Sequence, residues 1–397
     1  MAWLFITAAA WLAVSCTQRE TDIGRDALHN APEDTFIVLQ GTGTDAIMWH
    51  PNISNGRGKS LQVGDAGGFS AFFAMRFNVV AALPESARVD CMVVHLNRNR
   101  IWPESGALPL TVRISEITER WTEDSLLAGY LPNRASYPAV IPSWTIPPSE
   151  TSFGLLLPDT MYERWAQGDT NSFGLLFDPI SSGALLDFYS SESFDTAGSQ
   201  GPTLEIYGVQ WRLVDSVWTD TALVVKQTAE HDAYLATDST TVAPGRLALS
   251  QGYAKRAALY FPLDSIGAAN FTRVVNHAVL RFYADNGDAA NFQYANIGLL
   301  YKDGTMANRL WLMEPDSAKA GLVATSSSAF DATNSYIDFD VSSTVAYWVA
   351  RPDSNSGFQI LASEENGHLT RQVFYGTAPS VPDSLKPRLT IWLTEQH

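Results

Sequence analysis

Seven short segments of this 397-residue chain recur in one order at a nearly constant separation, and that doubling constrains the fold more than any other feature. Phe36-Ile37-Val38-Leu39-Gln40 matches Leu223-Val224-Val225-Lys226-Gln227, and Asp45-Ala46-Ile47-Met48 matches Asp232-Ala233-Tyr234-Leu235, both at an offset of 187. Leu61-Gln62-Val63 matches Leu247-Ala248-Leu249 at 186, and Ala74 to Val79 matches Ala258 to Leu263 at 184. Val93-Val94-His95-Leu96 matches Val279-Leu280-Arg281-Phe282 at 186, Trp165 matches Trp348 at 183, and Pro202 to Tyr207 matches Pro387 to Trp392 at 185. A self-similarity of this kind marks a tandem duplication, and each copy is about 170 residues, a normal single-domain size. The copies run from 35 to 208 and from 223 to 394. Residues 209–222 carry Trp211, Leu213, Val214, Val217 and Trp218, so they are expected to form an ordered linker whose aromatics pack between the domains.

Within each copy the hydrophobic period is two. Leu110-Thr111-Val112-Arg113-Ile114 and Tyr336-Ile337-Asp338-Phe339-Asp340-Val341 alternate, as half-buried antiparallel strands do. Turn chemistry separates the runs at Asn55-Gly56, Gly67-Gly68, Asp285-Asn286-Gly287, Asp303-Gly304 and Asn366-Gly367. The stretch Gly64-Asp65-Ala66-Gly67-Gly68 reads as a turn, because no helix follows it. The expected fold is all-β, two tandem jelly-roll-like antiparallel β-sandwiches. One short helix is expected in each. Leu157, Met161 and Trp165 repeat at i, i+4, i+8, while Val341, Val345 and Trp348 repeat at i, i+4, i+7. Each stripe would drive its Trp into the sandwich edge, with Asp159-Thr160 and Ser342-Ser343 offering capping oxygens.

Met1 to Ser15 is uncharged and almost wholly apolar, too short to span ~30 Å of hydrocarbon and of the length of a secretory signal. It ends in Ala13-Val14-Ser15-Cys16, then turns polar at Thr17-Gln18-Arg19-Glu20. Small residues before a cysteine at such a boundary resemble a bacterial lipoprotein signal. That resemblance implies lipidation of Cys16, a polar tether over 16–34 and a place in the bacterial cell envelope, at the outer membrane or cell surface, with the lipid anchor the only contact with membrane. An ordinary cleaved signal, giving a secreted protein, and a buried first strand are the alternatives. The other cysteine, Cys91, sits in a strand-like run and reads as a small hydrophobe. Forty-two acidic against 26 basic residues give a formal charge of −16, which disfavours nucleic acid as a partner because phosphate contacts need basic patches.

Taken with Leu61-Gln62-Val63-Gly64, Phe73-Ala74-Met75-Arg76-Phe77-Asn78-Val79, Ile117-Thr118-Glu119-Arg120-Trp121-Thr122-Glu123, Phe173-Gly174-Leu175-Leu176 and Pro202-Thr203-Leu204, the anchors resemble the DNRLRE-type domain. That module is an extracellular bacterial β-sandwich related to carbohydrate-binding modules. The likeness covers residues 35 to 208 and, more faintly, 223 to 394. It implies a non-catalytic accessory or surface module. The second copy departs from the pattern at Tyr260 and Pro262 and lacks the Trp-Thr-Glu segment, which points to the first copy as the better binding candidate.

No nucleophile elbow, phosphate loop, zinc-helix motif or dinucleotide fingerprint occurs in the sequence. Trp102 with Arg98 and Arg100, in a loop rich in fork-like donors, would suit an acidic or hydroxyl-rich glycan by stacking and bidentate hydrogen bonding; Trp49 is a second aromatic candidate. The competing reading is that Trp102 covers a sandwich end. Asp45 and Asp232, at matching positions, are candidate ligands for a structural calcium ion; Asp285-Asn286-Gly287-Asp288 is a weaker acidic loop. Glu119, Glu123 and Asp124 beside Trp121 form the best carboxylate group for a hydrolase, although a solvated strand end explains them more simply. The expectation is a non-catalytic surface lipoprotein binding a polysaccharide or a cell-envelope protein. An architectural envelope protein is the alternative, and a polysaccharide-active enzyme comes third.

Overall fold

The structure, a computed structural model, describes residues 34–396 except 41–43, 50–53, 79–83, 85–86, 104, 127–138, 167–172, 196–197, 254, 268–271, 289–290, 292–308, 313–321, 326–335 and 363–364. The expected signal segment, Cys16 and the tether up to residue 33 lie outside the described residues, as does the turn expected at Asp303-Gly304. Asp34, the last residue assigned to the tether, already opens the first strand. The chain is an all-β sandwich protein, and among the described residues every strand pair is antiparallel.

The first body is one curled sheet of eleven strands. Its order runs Val217–Thr228, Thr203–Val214, Ala87–Trp102, Ala184–Tyr189, Ser60–Ala66, Phe69–Arg76, Leu175–Pro179, Leu110–Glu116, Ala139–Ile146. Ser152–Leu157 adds to Ala87–Trp102, and His231–Asp238 adds to Phe69–Arg76. The 16-residue strand Ala87–Trp102 makes the corner: its residues up to Asn97 pair with Thr203–Val214 and Ser152–Leu157, those from Arg98 onward with Ala184–Tyr189. Strands that change layers in this way close a sandwich. Leu61, Phe73, Val94, Ile114, Phe177 and Phe188 fill the interior.

In the second body a four-stranded sheet, ordered Asp34–Gln40, Arg388–Gln396, Thr272–Tyr283, Tyr336–Asp340, faces a five-stranded one. The latter runs Thr44–Trp49, Lys255–Tyr260, Phe358–Leu361, Arg309–Leu312, Leu322–Thr325, and the pair Arg246–Gln251 with Thr370–Tyr375 completes the shell. Leu259, Phe282, Phe339, Phe374 and Leu389 meet between the layers. Both expected helices are present, Asp159–Ala166 and Ser342–Ala350, and bury Trp165 and Trp348 in the two cores. The Ser342 hydroxyl does not cap its helix; it accepts from the Ala278 N–H and donates to Asp340, which ties the helix start to the neighbouring strand.

The two bodies exchange their first strands. Asp34–Gln40 and Thr44–Trp49, from the first copy, pair with Arg388–Gln396 and Lys255–Tyr260 of the second. Reciprocally, Val217–Thr228 and His231–Asp238, from the second copy, pair with Thr203–Val214 and Phe69–Arg76 of the first. Polar groups lock the exchange. The Arg371 guanidinium, 2% exposed, donates to Asp238 Oδ1 at 2.7 Å and to the Gly67 carbonyl, while Lys255 Nζ lies 2.8 Å from Asp238 Oδ2. His368 stands 2.9 Å from Asp187, and Tyr234 donates its hydroxyl proton to the Gly367 carbonyl.

Two further expectations change here. The linker aromatics do not pack between the bodies: Thr203–Val214 and Val217–Thr228 form one hairpin whose tip is solvent-exposed. The pairing energy of a continuous ladder wins over burial of those side chains. And Gly64 to Ala66 belong to strand Ser60–Ala66, so the turn is only Gly67-Gly68. Gly64 (φ 142°) is required because a Cβ there would sit 2.2 Å from the Ala184 carbonyl oxygen.

A fragment of residues 35–208 lacks both strands that complete its sheet. Expressed alone it should be insoluble or molten by circular dichroism and dye binding, whereas co-expression with residues 209–397 should recover a folded complex. A cooperative thermal transition from the fragment alone would show that the exchange is dispensable.

Candidate functional site

The outer face of the four-stranded sheet holds a groove of about 460 Å³. Strand alternation builds it. Leu389 and Ile391 point into the core, so Arg388, Thr390 and Trp392 point out; Leu280 and Phe282 point in, so Val279 and Arg281 point out; Ile337 and Phe339 point in, leaving Asp338 out. Val38 supplies the apolar rim from the exchanged strand.

Arg281 clamps Asp338 through two parallel hydrogen bonds of 2.7 and 2.6 Å and lies 3.8 Å from the Tyr336 ring centroid. Its hydrogen bonds to Asp338 hold the guanidinium protonated and push its pKa above the ordinary arginine value. Trp392 and His277 lie with ring centroids 5.0 Å apart and planes 30° from parallel. Arg388 is directly opposite Arg281 in the ladder, and its Nε is buried without a hydrogen-bond partner. Two guanidiniums against one carboxylate leave the groove locally cationic on a chain of formal charge −16. The arrangement offers an aromatic platform, a planar donor and a neutralised ion pair, which together can hold a flat, oxygen-rich ligand with an anionic group.

The same face of the first body is closed chemically. Glu205 takes the place of Thr390 and Tyr207 that of Trp392. Hydrogen bonds from Lys226 and then Tyr207, with the nearby charges of His95 and Lys226, hold the Glu205 carboxyl down at about 2. His95 Nε2 lies 3.2 Å from Glu205. Every charge there has a neighbour.

The residues singled out from sequence go elsewhere. Trp102 is partly buried against the first core, opposite Leu185. Arg98 donates to the Pro148 carbonyl at 2.8 Å, and burial lowers its pKa. Arg100 stands opposite Asp187 in the ladder, and its Nη1, like Arg388 Nε, is buried without a hydrogen-bond partner. Trp49 ends a strand of the second body, opposite Lys255, in a different sheet from Trp102. The side chains of Trp49 and Asp45 lie outside the described residues. Cys91 is a free, half-buried thiol.

Asp45 and Asp232 occupy equivalent register positions, opposite Leu259 and Met75, one in each body. Asp232 is wholly buried, accepts from the Ser191 N–H at 2.8 Å and keeps Oδ1 unpartnered. Burial first, then the charges of Glu192 and Glu123, push its carboxyl up to about 8. Among the described residues no group of three or more His, Cys, Asp or Glu is arranged to hold a metal ion. Asp285, from the acidic loop, is paired with Arg246 at 2.7 Å.

Of the carboxylates near Trp121, Glu123 turns inward to accept from the Asp232 N–H and to sit 3.6 Å from His231. Glu119 instead lines a cavity of about 270 Å³ with Phe72, Ile117, Trp121, Leu126 and Leu235. They do not flank one cleft. Sequence reasoning missed the groove although its signal was present: Arg388, Thr390 and Trp392 are the polar and aromatic half of an alternating strand.

Asp232 makes stability pH-dependent. Its folded-state pKa is raised, so its folded form keeps a proton that the unfolded chain releases near pH 4. Stability should therefore fall by up to about 1.4 kcal/mol per pH unit from pH ~4 to ~8 through this group and level off above. Asp232→Asn should flatten that slope and raise Tm at pH 8 relative to wild type. Equal slopes in both proteins, measured by urea unfolding across pH 5 to 8, would refute the assignment.

No protein-family model matches the chain, and no curated protein sequence matches it. The likeness to the DNRLRE-type domain rests on the quoted motifs alone.

Proposed function

We propose that this chain is a non-catalytic carbohydrate-recognition protein and that its ligand lies in the outer-face groove of the second body. The observation that carries the reading is the groove's lining: Arg388 and Trp392 on one face of a strand, with Thr390 between them and Arg281 opposite Arg388, cationic on an acidic protein. Sugar rings stack on an indole face, and a guanidinium fork meets a carboxylate or a pair of hydroxyls.

Glycoside hydrolysis needs two carboxyl groups on opposite sides of the scissile bond. Asp338 is the one carboxylate lining the groove among the described residues, and Arg281 holds both its oxygens. This supports recognition over catalysis. A surface or secreted protein anchored by a lipid on Cys16 would present such a groove to envelope or extracellular polysaccharide. The strand exchange, which ties the two copies together, favours the architectural reading as the second choice.

A polysaccharide array followed by calorimetry tests the proposal. Arg388→Ala and Trp392→Ala should each weaken binding by about tenfold or more, equivalent to one bidentate or stacking contact, with unchanged melting. Trp102→Ala should leave affinity as it was. Absence of binding to neutral and acidic glycans alike, or affinity indifferent to both groove variants, would defeat it.

A further inference from the structure

Strand Val217–Thr228 is an edge of the eleven-stranded sheet, twelve residues long, without proline and paired to Thr203–Val214 at all twelve positions without a break. Edges of that length are ordinarily blunted, because their free N–H and C=O groups template another strand. This one is apolar instead. Of the twelve large hydrophobic residues exposed among the described residues, five fall on this hairpin: Trp211 (55%), Leu213, Val217, Trp218 (61%) and Val224. Pairing with Ala87–Trp102 stops at Gln210, so the ribbon beyond it stands clear of the sheet.

We propose that this edge pairs with the same edge of a second copy of the chain, antiparallel about Leu223. Backbone geometry decides which groups are available. Asp215 and Ser216, at φ 50° and 67°, form a two-residue hairpin turn closed by the Val214–Val217 pair. Antiparallel ladders alternate, so Trp218, Asp220, Ala222, Val224, Lys226 and Thr228 turn their N–H and C=O away from the sheet. All six are exposed.

Charge then selects the partner and the register. The strand carries one acidic and one basic side chain, Asp220 and Lys226, equidistant from Leu223. Self-pairing about Leu223 sets Asp220 opposite Lys226 of the second copy, twice by symmetry, and Ala222 opposite Val224. A shift of two residues in either direction faces Asp220 with Val224 or Thr228 instead and loses both charge pairs. Lys226 already contacts Glu205, but its side chain is 70% exposed and an ammonium has three donors, so a second carboxylate can share it. A two-fold interface is self-complementary in this way. An unrelated strand would have no reason to match the spacing.

Sedimentation equilibrium on the purified chain tests the pairing. Wild type should show a concentration-dependent dimer. Asp220→Lys should weaken it at least about tenfold by facing two like charges, and Lys226→Glu should do the same. Mixing the two variants should restore a dimer of one chain of each kind, because the mixed pair has opposite charges at both positions. Val224→Pro, which removes only an outward N–H, should abolish dimerisation with the circular dichroism spectrum and melting temperature retained. A wild-type chain that stays monomeric up to its solubility limit overturns the proposal. So does a dimer that withstands Val224→Pro, or one that the mixed variants fail to restore.

Discussion

Everything in this molecule depends on the ladder between each copy's first strands and the other copy's sheet. A sandwich missing two strands exposes both a row of backbone groups and the part of its core that those strands cover, and neither can be satisfied by the copy that lacks them. The exchange satisfies both at once, and it does so reciprocally. Because donor and acceptor belong to one chain, the effective concentration of each donor strand is high and no association entropy is lost to a second molecule. Buried charge follows from it. Arg371 and Lys255 come from the second body and converge on Asp238, a residue that the exchange carries into the first. Such a triad adds little net stability, since desolvation offsets attraction, but it penalises any arrangement that leaves one member alone in the interior. The polar seam thus guards the pairing that the hydrophobic cores reward.

The doubling itself was legible because it is written in side-chain pattern. Hydrophobic alternation and a spacing of 183 to 187 residues identify equivalent strands whatever their partners. Which sheet each strand joins is not in that pattern. Phe36 to Gln40 fits either body equally well, for the two sheets share the same inward-facing requirement. Register slipped for a related reason. Sequence matching sets Leu39 against Lys226. The ladders place Leu39 opposite Leu389 and Gln227 opposite the equivalent Leu204, so the true counterpart of Leu39 is Gln227, one residue further along. Ile37 and Val225 are the residues that pack toward the two cores, and a one-residue shift turns every side chain to the other face.

The groove was hidden for a different reason. Loop aromatics drew attention to Trp102, yet a loop-like composition at Arg98 and Arg100 is here the far end of a long strand, with Arg98 donating to Pro148 and Arg100 opposite Asp187 in the ladder. Binding residues on a sheet face look in sequence like the polar half of any strand. What distinguishes Arg388, Thr390 and Trp392 is the strands beside them, Arg281 and Asp338 on one side and Val38 on the other. Two of those neighbours lie about fifty to a hundred residues away in sequence and the third is more than three hundred away, brought in by the exchange. Periodicity can predict which face a residue occupies but not who shares it.

Duplication followed by exchange also explains why the two outer faces differ. Each face is lined by its own copy's last strand and by the other copy's first, so a change in either copy alters one face without touching the other. In the first body that freedom has gone into closure: Lys226, from the exchanged strand, neutralises Glu205. In the second the exchanged strand contributes Val38 at the same rim, and among the described residues no carboxylate of that strand is paired with Arg388. The donor strand therefore decides whether the face is a sealed ion network or an open cationic groove. If two chains join along Val217–Thr228, each brings one open groove, and a repeating polymer can engage both. Avidity of that kind raises apparent affinity well beyond that of a single shallow site, so the proposed recognition does not need a deep pocket on either chain.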